Sequence, residues 1–129
     1  MCLDIVTTPK NLKSDGIGYK MLYKSRRGKL YFPYFMEKEV PLPVDKWINE
    51  KDYRLKRYKR KETISADGGC YQMGFHVYRN KGQAEKRTCF ESDIIVRVKF
   101  RQAHTRGKQG GLNVIVAKEI FIQSEVKHG

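Results

Sequence analysis

Cysteine is scarce in this chain. Cys2, Cys70 and Cys89 are an odd number, widely spaced and without a CxxC pair, which argues against a disulfide framework and against a thiolate zinc site. Histidine is no richer: His76, His104 and His128 do not stand in metal-ligand spacing with one another, so neither a metal nor a cofactor is expected. No run approaches the roughly 18 apolar residues of a membrane span, and the N-terminus lacks the basic start and apolar core of a secretion signal. A chain working in the cytoplasm, away from membranes, is the expectation. Negative charge is the last shortage. Only 14 Asp and Glu face 27 Lys and Arg, leaving +13, a balance that favours anionic partners such as nucleic acid, nucleotides, phosphorylated metabolites or acidic proteins. The plain alternative is charge kept for solubility. The carboxylates are scattered with no pair set by strand or helix spacing, and Cys2 reads as a packed thiol rather than a nucleophile, so no catalytic residue is assigned.

What the chain does have is enough apolar surface to fold, 40% hydrophobic and 12% aromatic in 129 residues, consistent with one domain over 1–129. The opening MCLDIVTT reads as a short strand stopped by Pro9, and YKMLYK alternates Tyr19, Met21, Tyr23 against Lys20, Leu22, Lys24. KLYFPYF suits an edge strand because of Pro33, and VDKWINE suits one helical turn or a short strand carrying Trp47. CYQMGFHVY reads as one strand, RNKG as a turn and QAEKRTCF as two turns of helix. In IIVRVKFR, Ile94, Val96, Val98 and Phe100 point one way and Arg97, Lys99 and Arg101 the other; LNVIVAKEIFI is apolar enough for a central strand. The expected class is α+β or mainly β: a small antiparallel sheet with one or two short helices, a basic surface loop near 51–69, and a frayed tail near 124–129.

Three groups of residues bear on binding. RQAHTRGKQGG, residues 101–111, reads as a glycine-rich loop; with the cation row of the preceding strand it gathers Arg97, Arg101, Arg106 and Lys108, whose Arg forks and glycine N–H groups suit phosphate oxygens. It is not a P-loop, since GxxxxGK[ST] is absent, and an ordinary hairpin loop explains it equally. Phe75 and His76 in MGFHVY suit a platform for a base, the alternative being that Phe75 fills the core and His76 makes one buried hydrogen bond. KDYRLKRYKRK interleaves Lys51, Arg54, Lys56, Arg57, Lys59, Arg60 and Lys61 with Tyr53, Leu55 and Tyr58, a track for a nucleic-acid backbone or else a solvated insertion. Glu119, alone with Lys118 in an apolar strand, is expected to pair with a cation across the sheet or to line a pocket.

MCLDIV, GYK at 18–20, GFHVY at 74–78 followed by Ala84 and Glu85, and VAKEIFI at 116–122 together resemble a family of small bacteriophage-encoded proteins. In size, β-rich pattern and basic character the chain is also similar to the Thoeris anti-defence sponges. That likeness implies a homo-oligomer, a dimer or larger, that sequesters a cyclic ADP-ribose-type or cyclic oligonucleotide signal in the host cytoplasm without turnover. A vaguer likeness to ADP-ribosyltransferase folds rests on GFH and a late strand Glu, but the Arg, Ser-Thr-Ser, Glu set is missing. Beside the sponge stands a second expectation: a basic protein that binds nucleic acid or inhibits a host nucleic-acid enzyme through residues 51–61.

Overall fold

A computed structural model of the chain describes residues 3–8, 10–32, 40–53, 63–66, 69–86 and 93–124. The expectations placed on Cys2, Cys89, residues 54–61 and the tail beyond Ser124 lie outside the described residues. Within them the fold is mainly antiparallel sheet, with strands β1 (Ile5–Val6), β2 (Gly16–Lys24), β3 (Leu30–Tyr31), β4 (Trp47–Asn49), β5 (Thr63–Ala66), β6 (Gly69–Gln72), β7 (Phe75–Tyr78), β8 (Asp93–Gln109) and β9 (Leu112–Ile122). One helix, α1 (Lys81–Glu85), and a 3-10 turn over Glu50–Tyr53 complete it. VDKWINE takes the short-strand alternative, as β4, and the helical turn begins only at its last residue, Glu50, and runs on to Tyr53. CYQMGFHVY is two strands rather than one, and Thr63–Ala66, expected within a basic loop, pairs with β6 in a separate two-stranded sheet. RNKG is not a turn throughout: Asn80 caps α1 by accepting the Gln83 N–H at 3.2 Å, so Lys81 and Gly82 already belong to the helix.

The seven-stranded sheet closes on itself. β2 pairs with β8 from Gly16↔Phe100 to Tyr23↔Asp93, β8 with β9 from Val98↔Ile122 to Gln109↔Leu112, β9 with β7 from Ala117↔Phe75 to Val114↔Tyr78, and β7 returns to β2 at Tyr19↔Tyr78. β1, β3 and β4 extend the edges of β8, β2 and β9. The inner face holds Leu22, Phe75, Val77, Val96, Val98, Phe100, Ile115, Ala117, Ile120 and Ile122, capped by Phe32, Leu42 and Ile48. Each fully buried Leu, Ile, Val or Phe there contributes roughly 1.5–3 kcal/mol of transfer free energy. A second cluster, Leu3, Tyr71, Tyr78, Ala84, Val114 and Val116, packs on the outer face under α1. The apolar stretch of β9 over residues 114–117 follows directly, because both of its faces are covered.

Gly18 is what lets the ring close. A Cβ there would run into the Val77 side chain and stand 2.8 Å from the Tyr78 carbonyl, so β2 and β7 approach only because the side chain is absent. Gly18→Ala is expected to lower stability by about 1–3 kcal/mol, read as a shifted urea midpoint, with the first added amide exchange at Tyr19 and Tyr78. Unchanged exchange at those two amides would refute this account of closure.

RQAHTRGKQGG is a strand, not a loop, apart from its last two residues. β8 continues to Gln109, and only Gly110 and Gly111 turn the chain, with φ of 56° and 80°, the left-handed pair a two-residue hairpin needs. The cause lies opposite: β9 offers a partner for every residue from Thr105 to Gln109, and those of Thr105, Arg106 and Gly107 are the β-branched Val116, Ile115 and Val114. A bulge interrupts the alternation, with Gln102 at φ 56° and the register shifting between Ala103 and Thr105. Before it the even residues Val96, Val98 and Phe100 are buried; after it the odd residues Thr105 and Gln109 are.

Candidate functional site

The bulge decides what the cations of β8 can do together. Arg97, Lys99 and Arg101 lie opposite the inner core, whereas Arg106 pairs with Ile115 of the inner cluster, so it and Lys108 belong to the other face. From Arg101 to Arg106 is about 17 Å along the strand. The phosphate site expected from the sequence is therefore split, Arg97 and Arg101 on one side and Arg106 and Lys108 on the other.

Phe75 is 1% exposed and stacks on Phe32 at 5.4 Å, so the ring expected to carry a base is spent inside the core. His76, on the opposite face of β7, is tied at both nitrogens. Leu3 N–H donates to the Tyr71 hydroxyl at 2.8 Å, that hydroxyl meets His76 Nε2 at 3.3 Å, and His76 Nδ1 meets Gln109 Oε1 at 3.0 Å, which places the proton on Nδ1. Burial pushes the imidazole pKa down to about 3; the bond to Gln109 opposes this, while Lys20, the N-terminus and His104 add to it. His76 is a neutral structural imidazole here. His104 is also held below the usual imidazole range by burial, with Nδ1 2.7 Å from the Thr105 hydroxyl.

Lys20 was missed by the reading of the sequence, although it shares the period-two face of Leu22. Its Nζ lies in the ring interior, 5.4 Å from the Phe32 centroid and 5.8 Å from that of Phe75, and donates to the His76 carbonyl at 2.9 Å. Desolvation lowers its pKa to about 8. No carboxylate among the described residues forms a salt bridge with it.

On the outer face, beyond the part covered by α1, the registers of β2, β8, β9 and β4 set side chains in three transverse rungs. Tyr19 and Arg97 make the first; Ile17, Lys99, Phe121 and Trp47 the second; Arg101, Glu119 and Asn49 the third. Rungs on one face are about 6.8 Å apart, two strand residues. Arg101 donates through Nε to Glu119 at 2.7 Å, as the sequence led one to expect of Glu119, and lays its guanidinium 4.1 Å from the Trp47 centroid. Lys99 Nζ stands 5.3 Å over Phe121, which meets Trp47 at 5.6 Å. Arg97 and Lys99 are exposed, and Ile17 is 48% exposed. The strip offers cations, flat aromatic groups and a single carboxylate that already has its cation.

A concavity of about 570 Å³ opens between the β2–β3 turn and residues 41–44; Lys24 and Lys29 flank a floor of Leu30, Leu42 and Val96. Among the described residues no cluster of three His, Cys, Asp or Glu gathers to hold a metal, and no helix is long and apolar enough to cross a membrane. Comparison with known family models, curated proteins and solved structures gives no match to this chain.

Proposed function

We propose that this protein is a non-catalytic binder of nucleic acid, using the outer strip of β8, β9 and β4. The observation that carries the reading is the three-rung strip itself: Arg97, Lys99 and Arg101 on one line, with Trp47 and Phe121 beside them. Cations at strand spacing meet successive phosphates, and the aromatic and guanidinium planes meet bases. The net charge of +13 adds long-range attraction. Lys51, exposed in the 3-10 turn directly after β4, begins the basic run 51–61, which extends the same track in sequence.

Fluorescence anisotropy with a labelled oligonucleotide over a salt series tests this. The logarithm of affinity should fall with the logarithm of salt with a slope near −1.4 or steeper, about −0.7 for each phosphate met by Arg97 and Lys99, and Arg97→Ala with Lys99→Ala should reduce the slope by about 1.4. A salt-independent affinity would count decisively against it.

The cleft between Lys24 and Lys29 favours a second reading, the sponge for a small phosphorylated nucleotide signal in the phage anti-defence setting that the sequence motifs resemble. Its cationic rim and apolar floor suit one nucleotide-sized anion. Native mass spectrometry with cyclic ADP-ribose isomers and cyclic oligonucleotides, followed by heat release, should return intact ligand at fixed stoichiometry, and Lys29→Glu should abolish it. Cleaved ligand would indicate an enzyme instead.

A further inference from the structure

Resting on the nucleic-acid reading, we infer that the strip takes single-stranded rather than duplex nucleic acid, stacking unpaired bases on the Arg101–Trp47 pair and on Phe121. Three features on the strip lead there. Arg97 and Lys99 stand two residues apart on β8, about 6.8 Å, a spacing that consecutive phosphates of an extended single strand can match while its bases turn to the aromatic groups beside them. The middle rung, where a duplex would present its charged backbone, is instead largely apolar: Ile17, Phe121 and Trp47 with Lys99 alone between them. Burying those groups gains nothing from a backbone and much from an open base face.

The third feature is preorganisation. The Arg101 side chain is 40% exposed, yet its guanidinium is fixed by Glu119 below and lies over the Trp47 ring. A guanidinium held over an indole by a carboxylate can offer its outer side to a base without the entropy cost of ordering a free arginine. Lys99, exposed and with its Nζ 5.3 Å over Phe121, can move to a phosphate when a base takes its place. A duplex exposes no base faces to such a platform.

Trp47 is the sole tryptophan, so its emission reports this strip in the unmodified protein. The test titrates the full chain with oligo-dT of about 12 nucleotides, within the range one small β domain covers, and separately with the dA·dT duplex of the same length at the same salt. Oligo-dT should quench Trp47 and bind at least about 10-fold more tightly than the duplex. Phe121→Ala should weaken oligo-dT binding about 10-fold and leave duplex binding alone, while Phe121→Tyr, which keeps a ring, restores the affinity. Duplex bound as tightly as the single strand, or oligo-dT bound with Trp47 emission unmoved, overturns single-strand stacking while leaving nucleic-acid binding in place. No binding of either overturns the reading beneath it as well.

Discussion

Acidification from pH 6.5 towards pH 3 is expected to cost the fold about 4 kcal/mol through His76 alone. The folded imidazole titrates at about 3 instead of its ordinary 6.5, because the ring is desolvated between Tyr71 and Gln109. In that interval the unfolded chain binds a proton and the folded one does not, so stability is present in full above pH 6.5 and falls as pH drops through the interval. At 1.36 kcal/mol per pH unit, roughly 2 kcal/mol is gone by about pH 5. The measurement is urea unfolding of the protein and of His76→Gln between those limits. The variant starts lower, having lost the bond to Tyr71, but its curve should be flatter by about the stated amount. Parallel curves would show that the ring gains solvent on protonation at little cost.

Lys20→Met is expected to stabilise the protein by about 2–3 kcal/mol at neutral pH. An ammonium with one carbonyl partner and two aromatic rings is incompletely repaid for leaving water, and Met keeps the stem that packs against Phe32 and Phe75. The sign follows from its folded pKa of about 8 against 10.5: the cost is complete below pH 8, shrinks as pH rises from 8 to 10.5, and vanishes above. The advantage of Met should therefore disappear over that window. Tyr53, held above its ordinary range by burial and by Asp52, works the opposite way above pH 10, which is why the difference between the two proteins is the informative quantity. A destabilised Lys20→Met with unchanged pH dependence would mean that the rings stabilise the charge by more than desolvation costs it.

Much of the sheet is legible in the sequence. Strict alternation in IIVRVKF and the β-branched run of LNVIVAKEIFI specify β8 and β9, and the partner of Glu119 follows from its being a lone acid beside a row of cations. The candidate site was half legible. Arg97 and Arg101 stand on the exposed face that period two assigns them, but Phe121 joins them only through the register of β9 on β8 and Trp47 through that of β4 on β9, which no local pattern encodes. Residues 101–109 misled because cations and glycines resemble a loop, while the strand is imposed by β9 opposite. The left-handed Gln102 within β8, a residue with no marked preference for that conformation, then moves Arg106 and Lys108 to the other face. Phe75 and His76 carry the residue types of a binding platform, and only the identity of their neighbours, Phe32, Tyr71 and Gln109, shows that they are spent on the interior.

The two-glycine turn at Gly110–Gly111 also sets the order in which the chain can assemble. It joins the two longest strands at minimal loop-closure cost, whereas β2 must find β8 across some seventy intervening residues and β7 must meet both β9 and β2. The C-terminal hairpin is the one large local structure available early. The N-terminal half, made almost wholly of distant pairings, has to wait for it, so folding is slow relative to helical chains of this length and β8–β9 is its template.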